Sequence, residues 1–313
     1  MLGYIVRRLL STIPVLGVVA LIVFLLLHFA PGDPAAIMAG DSATPAQLAE
    51  IRQRLGLDKP VFVQFFYWLD QLRQGNFGTS LHSNKPVAEM IAARVGPTLS
   101  LAVTTMTFSI LVAIPLGVYA AWARGRLSDR LVMTLAVLGF STPVFVTGYM
   151  LIYLLSLKAG WFPVQGFASL ASDPIRFART ITLPTLALST VYIALIARIS
   201  RSSVLEILGE DFIRTARAKG VPERSVFLRH ALRNAAVPII TVIGSGAAFL
   251  IGGVVVAESV FNIPGLGRLV VESVLARDYP LIQSLILLLS VIYIGINLVI
   301  DLLYTLFDPR IRY

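Results

Sequence analysis

The histidine residues are the first candidates for chemistry in this 313-residue chain. They stand at His28, His82 and His230, far apart, and no carboxylate accompanies them at a metal-binding or catalytic spacing. The chain contains no cysteine, which excludes disulfides, thiolate metal sites and cysteine nucleophiles. No order of Ser, His and Asp residues suggests a catalytic triad. The sequence therefore predicts no metal site and no enzyme active site.

Nucleotide binding is the second chemistry to consider. A phosphate loop needs a glycine-rich turn ending in Gly-Lys-Ser or Gly-Lys-Thr, so that backbone amides and the lysine hold the phosphates. No glycine in this chain is followed by lysine. The stretch Gly244–Phe249 partly imitates a dinucleotide motif, but it lacks the third glycine and lies inside an apolar run. Small residues that pack one membrane helix against another explain this stretch better.

The composition indicates a membrane protein. Hydrophobic residues make up 57% of the chain and charged residues 14%, whereas a soluble domain carries about a quarter charged residues. The formal net charge of +9 could indicate nucleic-acid binding. The basic residues lie between long apolar runs, however, where they usually set membrane topology. We therefore expect a membrane environment and no nucleic-acid partner.

Six stretches without charged residues are long enough to cross the hydrocarbon core, which needs about 20 residues. They are Leu9–Ala30, Val95–Ala123, Leu131–Leu157, Thr180–Ala197, Asn234–Ala257 and Tyr279–Ile300. The shorter stretch Ala159–Ser172 is predicted to be an interfacial turn. The first span follows basic residues as a signal peptide does, but it is long and ends in Pro-Gly-Asp-Pro, so we interpret it as an uncleaved anchor. The predicted fold class is an all-α integral membrane protein with six transmembrane helices.

The distribution of basic residues predicts the orientation in the membrane. With a cytoplasmic N-terminus, the inner segments contain fifteen of the 26 Lys and Arg residues, and the short outer loops contain five. The other six lie in a long outer segment, and long segments cross largely regardless of charge. Both termini are therefore predicted to be cytoplasmic. The predicted regions are a first transmembrane region (1–30), an extracytoplasmic segment (31–94) and a core with five transmembrane helices (95–313).

The extracytoplasmic segment is too regularly patterned to be a linker. Thr44 and Pro45 predict the start of a helix, and Gly56 predicts its end. A second amphipathic run follows Pro60, and Gly75–Gly78 is predicted to be a turn. The apolar positions of the second run are Phe62, Phe65, Phe66, Leu69 and Leu72. These faces could pack on the spans or could receive an external protein, and the sequence leaves both alternatives open.

The inner segment Arg198–Asn234 is the most informative part of the chain. Leu205–Lys219 is predicted to be one helix, with acidic residues early and basic residues late, as the helix dipole favours. Gly220 stands where a left-handed C-cap is needed, and Pro222 is predicted to open a second helix at its first turn. Two short helices joined at a glycine would form a rigid protrusion for a partner protein. A solvated basic loop would explain the charge, but neither the cap nor the proline.

The same segment carries a family resemblance. Its text TARAKGVPERSVFLRHALRNAAVP resembles the cytoplasmic loop signature of permeases of binding-protein-dependent ABC importers. The residues that fit the pattern are Thr215, Ala216, Ala218, Gly220 and Pro238. The first Glu and Ala of the pattern are replaced here, in a form common in the peptide branch. The stretches HFAPGDPAAIMAG, RLGLDKPVFVQFFYWLDQLRQGNFGTSL and FNIPGLGRLVVESVLARDYPLIQ resemble the dipeptide/oligopeptide permease B-type subunit, so the resemblance covers nearly the whole chain.

The resemblance implies a permease subunit that moves di- or oligopeptides across a bacterial inner membrane. Its implied partners are a homologous second permease subunit, two ATP-binding subunits and an extracytoplasmic substrate-binding protein. ATP and Mg would be held by the ATP-binding subunits, and this chain would bind no cofactor. The residues implied to couple to those subunits are Arg214, Thr215, Ala216, Arg217, Ala218, Lys219, Gly220 and Val221. Glutathione, nickel and opine importers use similar subunits, so those substrates stay open.

Residues near the outer end of the fifth span form a second candidate site. Glu258 precedes the turn Pro264–Gly267, which would act as an outer gate or binding-protein contact, or else would only join an outer helix to Tyr279. Asp301 closes the sixth span, where a structural partner is favoured over a proton relay. The structural or gate candidates are Glu258, Pro264, Gly265, Gly267 and Asp301.

Two other functions are weighed against an ABC importer. An ion-coupled carrier would ordinarily place charges at mid-membrane, and the span interiors here are uncharged. A purely structural membrane anchor would tolerate a bulky residue at position 220.

The proposed lining of a pathway is hydroxyl-bearing: Ser100, Thr104, Thr105, Ser109, Ser141 and Thr142.

Overall fold

The computed structural model describes residues 2–29, 44–46, 49, 52 and 58–307, and their side chains except at 2–6, 27–29 and 303–307. The helix predicted from Thr44 to Gly56 falls mostly outside these residues. The described part of the chain is helical, with an isolated β-bridge between Thr79 and Pro86. Its first helices are α1 (Leu2–Phe29), α2 (Val61–Arg73), α3 (Val87–Trp122), α4 (Leu127–Ser141), α5 (Val144–Leu151, continued by π-helical Ile152–Lys158) and α6 (Pro174–Ile207). The later ones are α7 (Asp211–Ala218), α8 (Glu223–Ser225, continued by π-helical Val226–Ala231), α9 (Leu232–Asn234), α10 (Ala236–Val260), α11 (Leu266–Leu275) and α12 (Tyr279–Phe307).

The membrane fold class predicted from the sequence is confirmed. In the described residues, five helices are long and apolar enough to cross a membrane: Arg7–Leu26 within α1, α3, α6, α10 and Tyr279–Leu302 within α12. A sixth span is reached if the bent pair α4 and α5 is counted as one. The stretch predicted as an interfacial turn, Ala159–Ser172, forms turns and irregular backbone.

The third predicted span, Leu131–Leu157, is not one helix. α4 and α5 meet at an angle of 103°. Pro143 explains the break, because a proline disfavours helical backbone at the residue before it. Thr142 accordingly has extended backbone angles, φ −85° and ψ 122°. An apolar run without charges therefore did not predict a single straight helix.

The fourth span is longer than predicted at both ends. α6 begins at Pro174, where the Asp173 carboxylate accepts a hydrogen bond from the Arg176 backbone N–H at 2.9 Å. This N-cap followed by proline at the first helical position is a strong start signal. The predicted limits, Thr180 and Ala197, marked only the uncharged part of a helix that continues beyond the apolar region.

The chain divides into two compact units. One contains Gly96–Arg268 and Gly295–Tyr313, and the other contains Leu2–Val95 and Leu269–Ile294. The regions predicted at 1–30, 31–94 and 95–313 describe membrane topology rather than packing, and they stay a prediction.

In the larger unit, the core lies where α3, α6 and α10 meet, around buried side chains such as Leu188, Ile196 and Leu250. Small residues permit the close contacts. A β-carbon at Gly117 would lie 2.6 Å from the Ala197 carbonyl oxygen of α6. One at Gly244 would lie 2.5 Å from Ile300. Gly244 therefore serves helix packing, as the sequence predicted.

In the smaller unit, α2 packs against the end of α1. The ring of Phe24 contacts Phe65 and Trp68, with centroids 5.3 and 5.7 Å apart. The amphipathic run after Pro60 is therefore a helix, and one of its faces packs on the first span. The neighbouring side chains Phe62 and Phe66 are exposed.

Candidate functional site

Residues 208–234, here called the elbow segment, connect α6 to α10. The single helix predicted over Leu205–Lys219 is wrong, because α6 ends at Ile207 and α7 begins at Asp211. Glu210 between them has extended backbone angles, φ −72° and ψ 149°. A glycine at 209 weakens the helix locally. The turn separates the eight-residue helix α7 from the long spanning helix.

Gly220 ends α7 in a Schellman motif. Its φ is +76°, its N–H donates to the Arg217 carbonyl at 2.9 Å, and the Val221 N–H donates to the Ala216 carbonyl at 3.2 Å. These are the two bonds that define the motif. The predicted left-handed cap is confirmed. Pro222 stands one position earlier than predicted, as the N-cap residue of α8 rather than in its first turn.

An ion pair bridges the two arms of the elbow segment. Arg217 in α7 donates to both carboxylate oxygens of Glu223 in α8, at 2.8 and 3.3 Å. A guanidinium that binds both oxygens of a carboxylate fixes direction as well as distance. The side chains are 40% and 56% exposed, so the pair adds little stability. It links α7 to α8 across the turn at Gly220.

Buried apolar side chains hold the elbow segment against the helix bundle. Ile213, Val226 and Ala231 are inaccessible to solvent. Phe227 and Ala231 pack in a cluster that includes Val204 of α6. The segment is therefore rigidly mounted on the spanning helices rather than being a solvated loop.

The surface of the elbow segment that faces away from the helix bundle is exposed and basic. Of the eight residues implied to couple to ATP-binding subunits, six are exposed, and Ala216 and Val221 are half-buried. Sequence analysis overlooked Phe212, an apolar side chain that is 43% exposed in the first turn of α7. Its position one helical turn before Ala216, one of the residues implied to couple, could have indicated its role. A short helix with exposed cations and an exposed ring, on a rigid base, is suited to insertion into a groove of another protein.

A partly buried ion pair lies beside this base, and sequence analysis missed it. Arg201 of α6 donates from Nε and Nη2 to the two carboxylate oxygens of Asp129 in α4, at 2.6 and 2.8 Å. The Gly125 N–H donates to the same carboxylate at 3.0 Å. The Asp129 side chain is 4% exposed and that of Arg201 is 26% exposed. The pair fixes α4 to the part of α6 that leads into the elbow segment.

The second candidate site is built around the carboxylate of Glu258, which is fully buried in α10. Thr98 of α3 donates its hydroxyl to Oε1 at 2.5 Å, and the Arg268 N–H donates to Oε2 at 2.9 Å. The Leu266 N–H in turn donates to the Thr98 hydroxyl at 2.7 Å. One carboxylate thus fixes the start of α11 to α3 and α10.

Two of the predicted glycines are explained by this arrangement. A β-carbon at Gly265 would overlap the Glu258 carboxylate, and one at Gly267 would lie 2.6 Å from the Val255 α-carbon. The turn from Pro264 leads directly into α11. Asp301 lies half-buried in α12 and takes no part in the bonds just described. A gating role for these residues stays a prediction.

Some of the hydroxyl residues predicted to line a pathway are instead packed between helices. Thr105 and Ser109 of α3 are fully buried. The hydroxyl of Thr104 lies 2.9 Å from that of Thr185 in α6, and Ser189 of α6 donates to the Thr105 carbonyl at 3.3 Å. These side chains join α3 to α6, so in this conformation they do not form an open lining.

Known proteins resemble this chain along its length. Residues 113–313 match the family described as "Binding-protein-dependent transport system inner membrane component". Residues 1–102 match "Binding-prot-dependent transport system membrane comp, N-term". The probable peptide ABC transporter permease protein y4tP of Sinorhizobium fredii is 50% identical over 310 residues, 99% of each chain. The glutathione transport system permease protein GsiC of Salmonella typhimurium is 48% identical over 313 residues, 100% of each chain.

Solved structures share the fold at low sequence identity. An inward-facing structure of the MetNI methionine ABC transporter matches with a TM-score of 0.58 and 18% identity, over 70% of this chain and 96% of its own. An amino acid ABC transporter with histidines matches with a TM-score of 0.52 and 16% identity, over 69% and 92% of the two chains. These likenesses support the fold, while the family matches and the relatives near 50% identity carry the assignment. This chain belongs to the binding-protein-dependent transport system inner membrane components, the permease subunits of ABC importers.

Proposed function

We propose that this permease subunit imports short peptides, with its elbow segment inserted into ATP-binding subunits on the cytoplasmic face. The observation that supports this proposal is the rigid elbow segment. It contains an exposed eight-residue helix that ends at Gly220, is linked by Arg217 to Glu223, and packs on the bundle through buried Ile213. Such a segment transmits a push as a rigid body to the helices behind it. No phosphate loop occurs in the sequence, so ATP hydrolysis belongs to the partners.

The proposed assembly contains a homologous second permease, two ATP-binding subunits that hold ATP and Mg, and an extracytoplasmic binding protein that delivers the substrate. Both termini and the elbow segment lie in the cytoplasm, as the basic residues favour. The peptide class is supported by the two relatives, one named a peptide permease and the other a glutathione permease, since glutathione is itself a short peptide. Nickel and opines are the alternative substrates of the same subunit type.

The absence of cysteine allows a clean test of the coupling surface. A single cysteine at Thr215 should react with a membrane-impermeant maleimide only in inside-out vesicles without the ATP-binding subunits. In the full assembly it should crosslink to a cysteine in the groove of an ATP-binding subunit. A cysteine at exposed Ser169, in the loop before α6, is the matched control and should be labelled only in intact cells. Labelling of both positions from the same side would contradict the proposed topology.

The substrate and the energy source are tested by reconstitution. Proteoliposomes with the full assembly should accumulate a labelled dipeptide or glutathione only when ATP and the binding protein are present. Accumulation driven by an ion gradient with this chain alone would contradict the importer proposal and would instead indicate an ion-coupled carrier. Uptake of nickel without competition by peptides would contradict the peptide substrate but would be consistent with an ABC importer.

A further inference from the structure

An apolar groove of about 440 Å³ lies between the C-terminal end of α3 and the second arm of the elbow segment. Its volume falls in the range of roughly 300–1,000 Å³ typical of small-molecule sites. The side chains that define it include Val118, Tyr119, Trp122, Arg224, Phe227 and Leu228. All of them belong to the larger compact unit. None of the eight residues implied to couple to ATP-binding subunits lines the groove, which lies against the second arm of the elbow segment.

The walls and the rim of the groove differ in chemistry. The walls are almost entirely apolar, yet Trp122 is 53% exposed and Leu228 is 49% exposed. At the rim, the guanidinium of Arg126 lies over the Trp122 ring, 5.2 Å from its centroid, and Arg224 lines the opening. The one carboxylate of the lining, Glu223, is bound by Arg217, so the rim is electrostatically positive.

Tryptophan and tyrosine beside arginine, at the end of a spanning helix, are typical of the membrane–water interface. Basic pockets between spanning helices on the cytoplasmic side suit anionic lipid headgroups. A soluble ligand would need several polar groups to orient it, and these walls offer few. An acyl chain with a negatively charged headgroup matches both parts of the groove.

We propose that this groove binds one anionic phospholipid, with an acyl chain against Phe227 and Leu228 and its phosphate at Arg224 and Arg126. The assignment to the cytoplasmic leaflet rests on the proposed function. Because Glu223 next to Arg224 holds Arg217 of α7, an occupied groove stabilises the angle of the elbow segment. The inferred consequence is that anionic lipid raises the efficiency with which ATP hydrolysis is coupled to transport.

Lipid occupancy can be measured through Trp122. The chain has three tryptophans, and replacing Trp68 and Trp161 with phenylalanine leaves Trp122 as the reporter when the tryptophans of the partner subunits are replaced as well. In nanodiscs of the assembled importer without ATP, brominated phosphatidylglycerol should quench its fluorescence more strongly than brominated phosphatidylcholine at equal bromine content. Arg224→Gln should lower this preference about fivefold, the effect expected for one basic residue near an anionic surface.

Arg229→Gln is the matched control, since Arg229 is exposed in the π-helical continuation of α8 and does not line the groove. It should leave the lipid preference unchanged. Equal quenching by the two lipids would overturn the proposal. Quenching by neither, with Trp122 crosslinking to another subunit, would show the groove to be a protein interface and would also overturn it. Because this assay needs no ATP, its failure is distinct from a failure of coupled transport, which would instead refute the proposed function.

Discussion

Replacing Arg201 with methionine is expected to destabilise this protein more than replacing Asp129 with asparagine. The two residues form one ion pair, but their surroundings differ: the Asp129 side chain is 4% exposed and that of Arg201 is 26% exposed. Arg201→Met leaves the Asp129 carboxylate buried without its cation, although the Gly125 N–H still donates a hydrogen bond to it. Removing one partner of a fully buried pair costs about 3–5 kcal/mol, and because Arg201 is partly exposed the expected cost here lies near the lower end of that range.

Asp129→Asn has a smaller expected cost. The asparagine oxygen can still accept from the Gly125 N–H, and the partly exposed guanidinium of Arg201 can reach water. The expected loss in free energy of unfolding is then on the order of 1–3 kcal/mol, as for a weakened hydrogen bond to a charged group. The double variant removes the buried charge altogether and should be more stable than Arg201→Met alone, a coupling that a double-mutant cycle measures.

The assay is the rate of thermal inactivation of the purified assembly in detergent, followed by fluorescence-detected size exclusion. A rate is appropriate because large membrane proteins usually unfold irreversibly. The expected order of lifetimes is wild type, Asp129→Asn, the double variant, then Arg201→Met, with the middle two close together. Equal lifetimes for the two single variants, or a double variant less stable than Arg201→Met, would refute the burial argument.

Three further predictions concern the elbow segment and the Glu258 site. Gly220→Val should abolish stimulation of ATPase activity by substrate, whereas Gly220→Asn should retain most of it, because asparagine tolerates left-handed backbone; equal loss in both would contradict a conformational role. Gly265→Ala should shorten the thermal lifetime, at a cost on the order of 1–3 kcal/mol, by displacing the Glu258 carboxylate, and an unchanged lifetime would refute this. Arg217→Gln should change stability by about 0–1 kcal/mol yet lower coupled transport, and Glu223→Gln should match it.

Local signals were sufficient for the features that depend on a few neighbouring residues. Gly220 was predicted as a left-handed cap because glycine is favoured there and the flanking pattern marks the end of a helix. The helix after Pro60 followed from its apolar periodicity. The break in the third span has an equally local signal, because Thr142 precedes a proline and is restricted to extended backbone. The absence of charge over Leu131–Leu157 shows only that the run is apolar, not that it is one straight helix.

The buried polar contacts could not be predicted, because their partners are distant in sequence. Thr98 and Glu258 are 160 residues apart, and Asp129 and Arg201 are 72 apart. Nothing in a single sequence indicates which carboxylate meets which donor. The same limit applies to the hydroxyls of Thr105 and Ser109, whose burial depends on which face of α3 meets α6.

The order of these partners along the chain affects how the protein enters the membrane during synthesis. Thr98 is synthesised long before Glu258, so the hydroxyl that donates a hydrogen bond to this carboxylate is already present when α10 is inserted. Asp129 is made 72 residues before Arg201, an interval of about 4–14 seconds at roughly 5–20 residues per second. During that time α4 carries a carboxylate without its guanidinium. Because Asp129 lies in the first turn of α4, before the apolar run, it does not obstruct insertion. The contact that fixes α4 to α6, however, forms only after Arg201 has been made.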